Sequence, residues 1–384
     1  MATDIREVAQ AAGVSISTVS RTFTKPELVA PRTREKVTRA AEKLDFHISR
    51  SAAALKSGQT MRVALLTSDG VSTWFDAHAF AGLDSVFHPA GYDISVFTMT
   101  TTTERRDFFM NLPVRRNVDA VIVDSFDIDP EEVSRLKTMH VPIVGINVPS
   151  SAGFDATVGI DDKGAMRTAV DHLAALGHRN IGYVGESNRR QLHYGAESRL
   201  QGFREACEAH ADVRPQVLLF DADSDFMDNA VNAILTSQPR LTAVCMSKDE
   251  TALPLLYRLH RYGREIPRDL SIIGFDDIEL AGATGLTTLR QNPFELGAEA
   301  ARQTLLAMGN KAGPDSSDSY QIFPAQLMLR DTTAPVIAAE TGQNRAAEIS
   351  NAERRHERTA PNSTVSRRAS SFAYVPTAAY RGRS

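Results

Sequence analysis

The sequence predicts two folds in one chain: an N-terminal all-α helix-turn-helix domain, then an α/β core of two doubly wound lobes. Three observations predict this. Helical apolar periodicity and capping residues fill the first sixty residues. From Arg62 onward, short β-rich apolar runs alternate with helical stretches. After Gly177-His178-Arg179-Asn180 that alternation restarts, so the strands divide into two groups. With 384 residues, 42% of them hydrophobic, the chain has apolar material for two or three cores.

Asp4 is placed to cap a helix from Ile5 to about Ala12, with Glu7 at the capping-box spacing. Ile5, Val8, Ala9 and Ala12 form its apolar face, and Gly13 ends it. Ser15 can cap a second helix from Ile16 to about Phe23. Pro31 announces a third, from Thr33 to about Leu44. The first lobe has strands at 63–66, 94–97, 120–123 and 143–146; the second at 181–184, 217–220, 243–246 and 271–275. Such apolar strands, separated by helices, predict parallel sheets covered on both faces. A ligand would sit at the carboxyl ends of their strands. Beyond about Val336 apolar periodicity stops, and residues 337–384 read as a solvated, disordered tail.

Composition narrows the function classes. The formal net charge of −4 averages two net-basic ends over a net-acidic body, an asymmetry that points to nucleic-acid binding in one part only. Cys207 and Cys245 are the only cysteines, too few for a disulfide scaffold or a cysteine-rich zinc site. No apolar run approaches the ~20 residues a membrane helix needs. The N-terminus has charges at once and lacks the apolar segment of an export signal. The chain therefore reads as cytoplasmic, in a reducing setting. No G-x-G-x-x-G follows a strand, and there is no P-loop, nucleophile elbow or H-E-x-x-H. No enzyme activity, metal or cofactor is expected.

The segment Ala9–Arg21 reads as two close helices turned by Gly13, the second exposing short polar side chains and one arginine. Such a helix suits the DNA major groove; a hairpin with hydroxyl-rich caps is the alternative. The string A-x-x-A-G-V-S-x-x-T-V-S-R, followed by Thr33-Arg34-Glu35-Lys36-Val37, resembles the lactose-repressor/galactose-repressor (LacI/GalR) family of bacterial transcription regulators. The resemblance runs from about Asp4 to Thr333. It implies that Ile16, Ser17 and Arg21 read bases: Ile16 by apolar contact, Ser17 by a short hydrogen bond, Arg21 by pairing with guanine. Ser15, Thr18, Ser20, Thr22 and Thr33 are better placed for phosphates. Arg50–Lys56 resembles the family's hinge helix, with Ala52 thinning it, Leu55 as a minor-groove wedge and Lys56 following. Here Phe46-His47-Ile48-Ser49 replaces the usual Y-x-P-N, which leaves the hinge entry less rigidly set. The implied domains are 1–48 (DNA binding), 49–60 (hinge), 61–336 (effector binding and dimerisation) and 337–384 (tail).

The two lobes resemble the family's periplasmic-binding-protein-like effector core. The matching segments are Asp161–Ala165, His172–Ile181, Arg199–Phe203, Ser271–Asp277 and Leu286–Gln291. Arg199 and Asp276 are the implied effector contacts, a guanidinium fork and a strand-end acceptor; a structural ion pair is the other reading. Trp74 and Phe75 align with an aromatic pair at the cleft mouth, or else pack within a lobe. Asn147, Asp161 and His193 are weaker carry-overs. Lys248 stands where the family mostly has an amide, which suggests an anionic group on the effector. The resemblance implies a repressor that binds a pseudo-palindromic double-stranded operator as a homodimer, controlled by a small molecule, most simply a carbohydrate. The alternatives are a solute-binding protein for uptake and an enzyme on an α/β scaffold. The missing export signal and residues 1–60 weigh against the first, the missing catalytic motifs against the second.

Overall fold

The structure is a computed structural model that describes residues 4–24, 26–46, 59–68, 70–115, 117–187, 197–222, 225–309 and 320–336. The predicted hinge contacts Ala52, Leu55 and Lys56, the residue His193 and the tail 337–384 lie outside the described residues.

The head consists of α1 (Ile5–Ala12), α2 (Ile16–Thr24), a single 3-10 turn (Pro26–Leu28) and α3 (Pro31–Lys43). Gly13 takes φ +62°, and its amide closes α1 onto the Ala9 and Gln10 carbonyls. The side chain of Asp4 accepts from the Arg6 amide at 3.5 Å rather than completing a capping box. Pro31 is already the first helical residue of α3, two positions before the expected start. Val8, Ala9, Ala12, Val19, Val37, Ala40 and Ala41 form the head's core. All are small, which lets three short helices cross closely.

Two six-stranded sheets follow. Lobe 1 holds β1 (Arg62–Thr67), α4 (Trp74–Phe87), β2 (Asp93–Thr98), α5 (Thr102–Arg115), β3 (Ala120–Asp124), α6 (Pro130–Met139), β4 (Ile143–Ile146) and β5 (Ala156–Ile160). Lobe 2 holds α7 (Asp162–Ala175), β6 (Asn180–Glu186), α8 (Glu197–Glu208), β7 (Arg214–Phe220), α9 (Phe226–Thr236), β8 (Ala243–Met246), α10 (Asp249–Arg261), β9 (Ser271–Asp276), α11 (Glu279–Ala283) and β10 (Thr288–Arg290). The chain then returns through α12 (Pro293–Gly309) and β11 (Tyr320–Phe323) to lobe 1, and crosses once more to β12 (Gln326–Met328) in lobe 2. The strand orders are β11-β5-β4-β3-β1-β2 and β12-β10-β9-β8-β6-β7. All eight predicted strands are present, and β5, β10, β11 and β12 join them. Pairing is parallel except for β10 with β12, which is antiparallel and departs from the all-parallel expectation.

The central strands β3, β4, β8 and β9 are buried throughout, because helices cover both faces of each sheet. The returning helix α12 docks on α4 through paired glycines. A Cβ on Gly82 would sit 2.0 Å from the Phe294 carbonyl oxygen, and one on Gly297 would sit 2.0 Å from that of Ala79. Only a residue without a side chain allows this backbone contact. It holds the middle of α4, from Ala79 to Leu83, against α12.

Candidate functional site

On α2, Val19 points into the head core, fully buried, while Ser17 and Arg21, one turn apart, lie exposed on the opposite side and Ile16 is exposed in the first turn. Ile16 is 46% exposed, an apolar side chain held in water without a local packing reason. Ser15 caps the helix: its Oγ accepts from the Thr18 amide at 3.2 Å and lies 2.8 Å from the hydroxyls of both Ser17 and Thr18. Ser20 and Thr33 are half-buried. Thr22 differs from expectation. It is 5% exposed, and its hydroxyl donates to the Thr18 carbonyl at 2.9 Å, because it lies on the buried side of α2 and bonds back along the helix.

The chain crosses between lobes three times: between β5 and α7, between β10 and α12, and between β11 and β12. A buried polar chain lies at the first crossing. Asn147, just after β4, accepts from the Ile160 amide at 3.3 Å and hydrogen-bonds Asp162, the first residue of α7. Asp162 accepts from Arg199 Nε at 2.8 Å; Arg199 Nη1 donates to the Ser247 carbonyl at 2.8 Å and lies 3.8 Å from Asp276. The guanidinium stacks 3.6 Å above the centre of the Phe275 ring. Gln291 donates to Asp276 through Nε2. The Gln291 Oε1 and Trp74 Nε1 atoms are buried without a partner among the described residues. An orphaned polar atom of this kind costs about 1–3 kcal/mol.

Electrostatics mark the same place. Burial pushes the Asp276 carboxyl up to about 7, with Arg199 pulling the other way. Asp249 is pushed up to about 6 by burial, even though it accepts from the Thr288 hydroxyl at 2.7 Å and from the Asp277 amide at 2.8 Å. Asp162 is raised by burial too, against the opposing pull of Arg199. The backbone is strained here as well. Ser125, Asn147, Asp276 and Asp277 all have positive φ, at 71°, 46°, 117° and 61°, and each ends or directly follows a strand. Conformations like these cost of order 1–3 kcal/mol each and collect at functional sites.

In lobe 1, Asp124 ends β3, 1% exposed, and hydrogen-bonds Asp76 in the first turn of α4. Burial and the neighbouring carboxylate hold the Asp124 carboxyl well above the usual range. Thr73 caps α4, and its hydroxyl donates to Asp76 at 2.6 Å. Two residues earlier on α4, Trp74 reaches across to the lobe 2 cluster that includes Ile278, Ala281 and Leu286. Phe75 does pack within lobe 1, against the cluster around Leu83 and Phe87. The expected aromatic pair is thus split, because successive residues at the start of α4 face different ways.

Two further differences concern charges. Asp161 is exposed and caps α7, accepting from the Gly164 amide at 2.8 Å; of the Asp161-Asp162 pair it is Asp162 that enters the buried network. Lys248 is already ion-paired, 2.5 Å from Glu186 at the end of β6, so an anionic group would have to compete with a carboxylate. Sequence reading missed Asp162, Gln291, Asp249, Asp124 and Asp76. Asp162 and Gln291 lie in segments that match the family, and position gave the signal for the others: each ends a strand or lies in the first turn of a helix at the carboxyl edge of its sheet.

Comparison with known proteins places this geometry. Residues 4–49 match the model for bacterial regulatory proteins of the lacI family, and residues 170–333 match the periplasmic binding protein-like domain. The chain is 30% identical over 333 residues to catabolite control protein A of Priestia megaterium, covering 86% of this chain and 98% of that one. The chain belongs to the LacI family of bacterial regulatory proteins. Among other LacI-family relatives, the repressor PurR of Vibrio vulnificus is 29% identical over 341 residues, covering 86% of this chain and 99% of the relative. The ribose operon repressor of Halalkalibacterium halodurans is 28% identical, covering 86% and 97%. Among solved structures, the Lac repressor dimer bound to operator and the anti-inducer ONPF shares the fold, with a TM-score of 0.74 at 23% identity over 87% of this chain and all of that one. The complex of the regulator CelR with cellobiose is 27% identical, with a TM-score of 0.60 over 86% of this chain and 99% of the other.

Proposed function

We propose that this LacI-family chain is a ligand-responsive transcriptional repressor. One observation carries the reading: a single chain holds a helix with an exposed Ile16, Ser17 and Arg21 face and two lobes whose strand ends share the buried Asn147–Asp162–Arg199–Asp276 network. The relatives named as repressors, PurR and the ribose operon repressor among them, support it. Residues 1–48 bind a pseudo-palindromic operator, with Ile16, Ser17 and Arg21 reading bases and Ser15, Thr18, Ser20 and Thr33 near phosphates. Residues 49–60 form the hinge, with Ala52, Leu55 and Lys56 at the minor groove. Residues 61–336 dimerise and bind the effector, a sugar or sugar derivative, between Trp74 and Asn147 of lobe 1 and Arg199, Lys248 and Asp276 of lobe 2. As a DNA-binding regulator it works in the cytoplasm and acts by binding, a reading that rests on the relatives named as repressors. Among the described residues no helix is long and apolar enough to cross a membrane, and no group of acidic, histidine or cysteine side chains is arranged to hold a metal ion.

The effector acts by differential affinity for two lobe arrangements, which shifts the population competent for the operator. Arg21→Ala tests the head. It should lose preference for the operator over random DNA by about 1–3 kcal/mol, while general affinity at matched salt changes little. Equal losses on both duplexes would remove Arg21 from base reading.

A further inference from the structure

Away from the three crossings, the described residues touch across the lobes through α4 and α11. Trp74 of lobe 1 packs against the apolar cluster of lobe 2. The His78 ring lies one turn further along α4, with its centroid 4.8 Å from that of Trp74 and a tilt of 42°. Its Nδ1 is 2.7 Å from the Trp74 carbonyl oxygen, which can only accept, so Nδ1 donates. That fixes the ring and leaves Nε2 aimed across the lobes, 3.6 Å from a carboxylate oxygen of Glu279, the first residue of α11; with Nδ1 already donating, Nε2 carries a proton toward that carboxylate only in the imidazolium form. Glu279 sits directly after Asp277 and Ile278, whose amides are held by the buried Asp249. Asp76, buried beside Asp124, anchors the turn of α4 that carries both Trp74 and His78.

We propose that Trp74, His78 and Glu279 form an interlobe latch. They are positioning residues that set how far the cleft is closed before any effector arrives. The apolar contact of Trp74 supplies the attraction. The pair of Glu279 with the imidazolium form of His78 aligns it, and being exposed on both sides it biases the closed-to-open ratio by only about two- to five-fold. An element of this size tunes a response without locking it. Its effect on effector affinity rests on the cleft being the effector site; the latch itself does not.

Trp74 is the only tryptophan, so its fluorescence reports the latch directly. The experiment is acrylamide quenching of the full chain without ligand at about pH 5.5, where an ordinary imidazole is mostly protonated and an ordinary carboxylate ionised. The parent should be shielded. Glu279→Lys, at a surface position, should raise the quenching constant in step with a two- to five-fold loss of the closed form. The double variant His78→Glu, Glu279→Lys restores opposite charges and should return the quenching to the parent value. Equal quenching in parent and Glu279→Lys would overturn the latch, as would a double variant as accessible as the single one. If the latch behaves as proposed but no neutral sugar or purine changes the quenching, the effector reading of the cleft fails and the latch stands.

Discussion

Replacing Arg199 with alanine leaves two buried carboxylates facing one another. Asp162 is 3% exposed and Asp276 6%, and Arg199 is the cation beside both. The substitution removes the 2.8 Å bond to Asp162, the 2.8 Å bond to the Ser247 carbonyl and the stacking on Phe275. Breaking a buried pair from one side costs about 3–5 kcal/mol, because the remaining charge stays out of water. The carboxylates can relieve that cost by taking up protons. Asp276 already titrates at about 7 with the guanidinium beside it, so it rises further without it. The loss should therefore be about 3–5 kcal/mol at pH 8 and clearly smaller at pH 5, where the orphaned carboxylates are protonated. Urea denaturation at the two pH values, with the same slope in both proteins, measures it. A loss under 1 kcal/mol, or one of equal size at both pH values, would refute the account of the network.

Three more outcomes follow from the same geometry. Asp276 and Asp249 hold their protons in the folded state to about 7 and about 6, whereas an unfolded aspartate releases its proton near ~4. Their favourable contribution is complete below ~4 and is lost as pH rises through those values, so Asp276→Asn should flatten the fall in stability between pH 5 and 8; an unchanged slope would count against the assignment. Gly297→Ala forces a methyl to 2.0 Å from a carbonyl oxygen and should cost about 3 kcal/mol or more, lowering the melting temperature by at least ~5 °C, whereas Gly309→Ala, with open space around it, should be neutral or stabilising. Cys207 and Cys245 should resist alkylation in the folded protein, since both are buried and burial pushes the Cys207 thiol up to about 12; rapid labelling of either would contradict the core packing.

The head was legible almost residue by residue, because its three helices are short and each is marked by a local signal such as Gly13, Ser15 or Pro31. The eight core strands were legible because parallel strands covered on both faces must be apolar throughout. The four missed strands lie at or near the sheet edges. At the edge itself the burial requirement relaxes, as in β11, where exposed and half-buried residues alternate from Tyr320 to Phe323, whereas β5 is buried but Thr157 and Gly159 interrupt its apolar run. β10 has only three residues, too few for a period to show. At the site, Arg199 and Asp276 were legible from the motifs that carry them. Asp162 was passed over for its neighbour Asp161, since sequence cannot say which of two adjacent carboxylates turns inward at a helix start. Thr22 was misplaced because its hydroxyl bonds back to the carbonyl of Thr18, a side chain-to-backbone bond that competes invisibly with phosphate contact. Trp74 and Phe75 look equivalent in the sequence. Neighbouring residues on a helix point about 100° apart, which turns one toward lobe 2 and the other into lobe 1.

The central claim is that α2 reads DNA in a symmetric, paired arrangement. Selection of binding sites by the full chain from a random duplex library tests it most directly. The account predicts enrichment of a two-fold symmetric site with half-sites read through Ile16, Ser17 and Arg21, and loss of preference at the positions read by Arg21 when Arg21→Ala is put through the same selection. Recovery of no symmetric site, or of the same site with the same preference by Arg21→Ala, would contradict it.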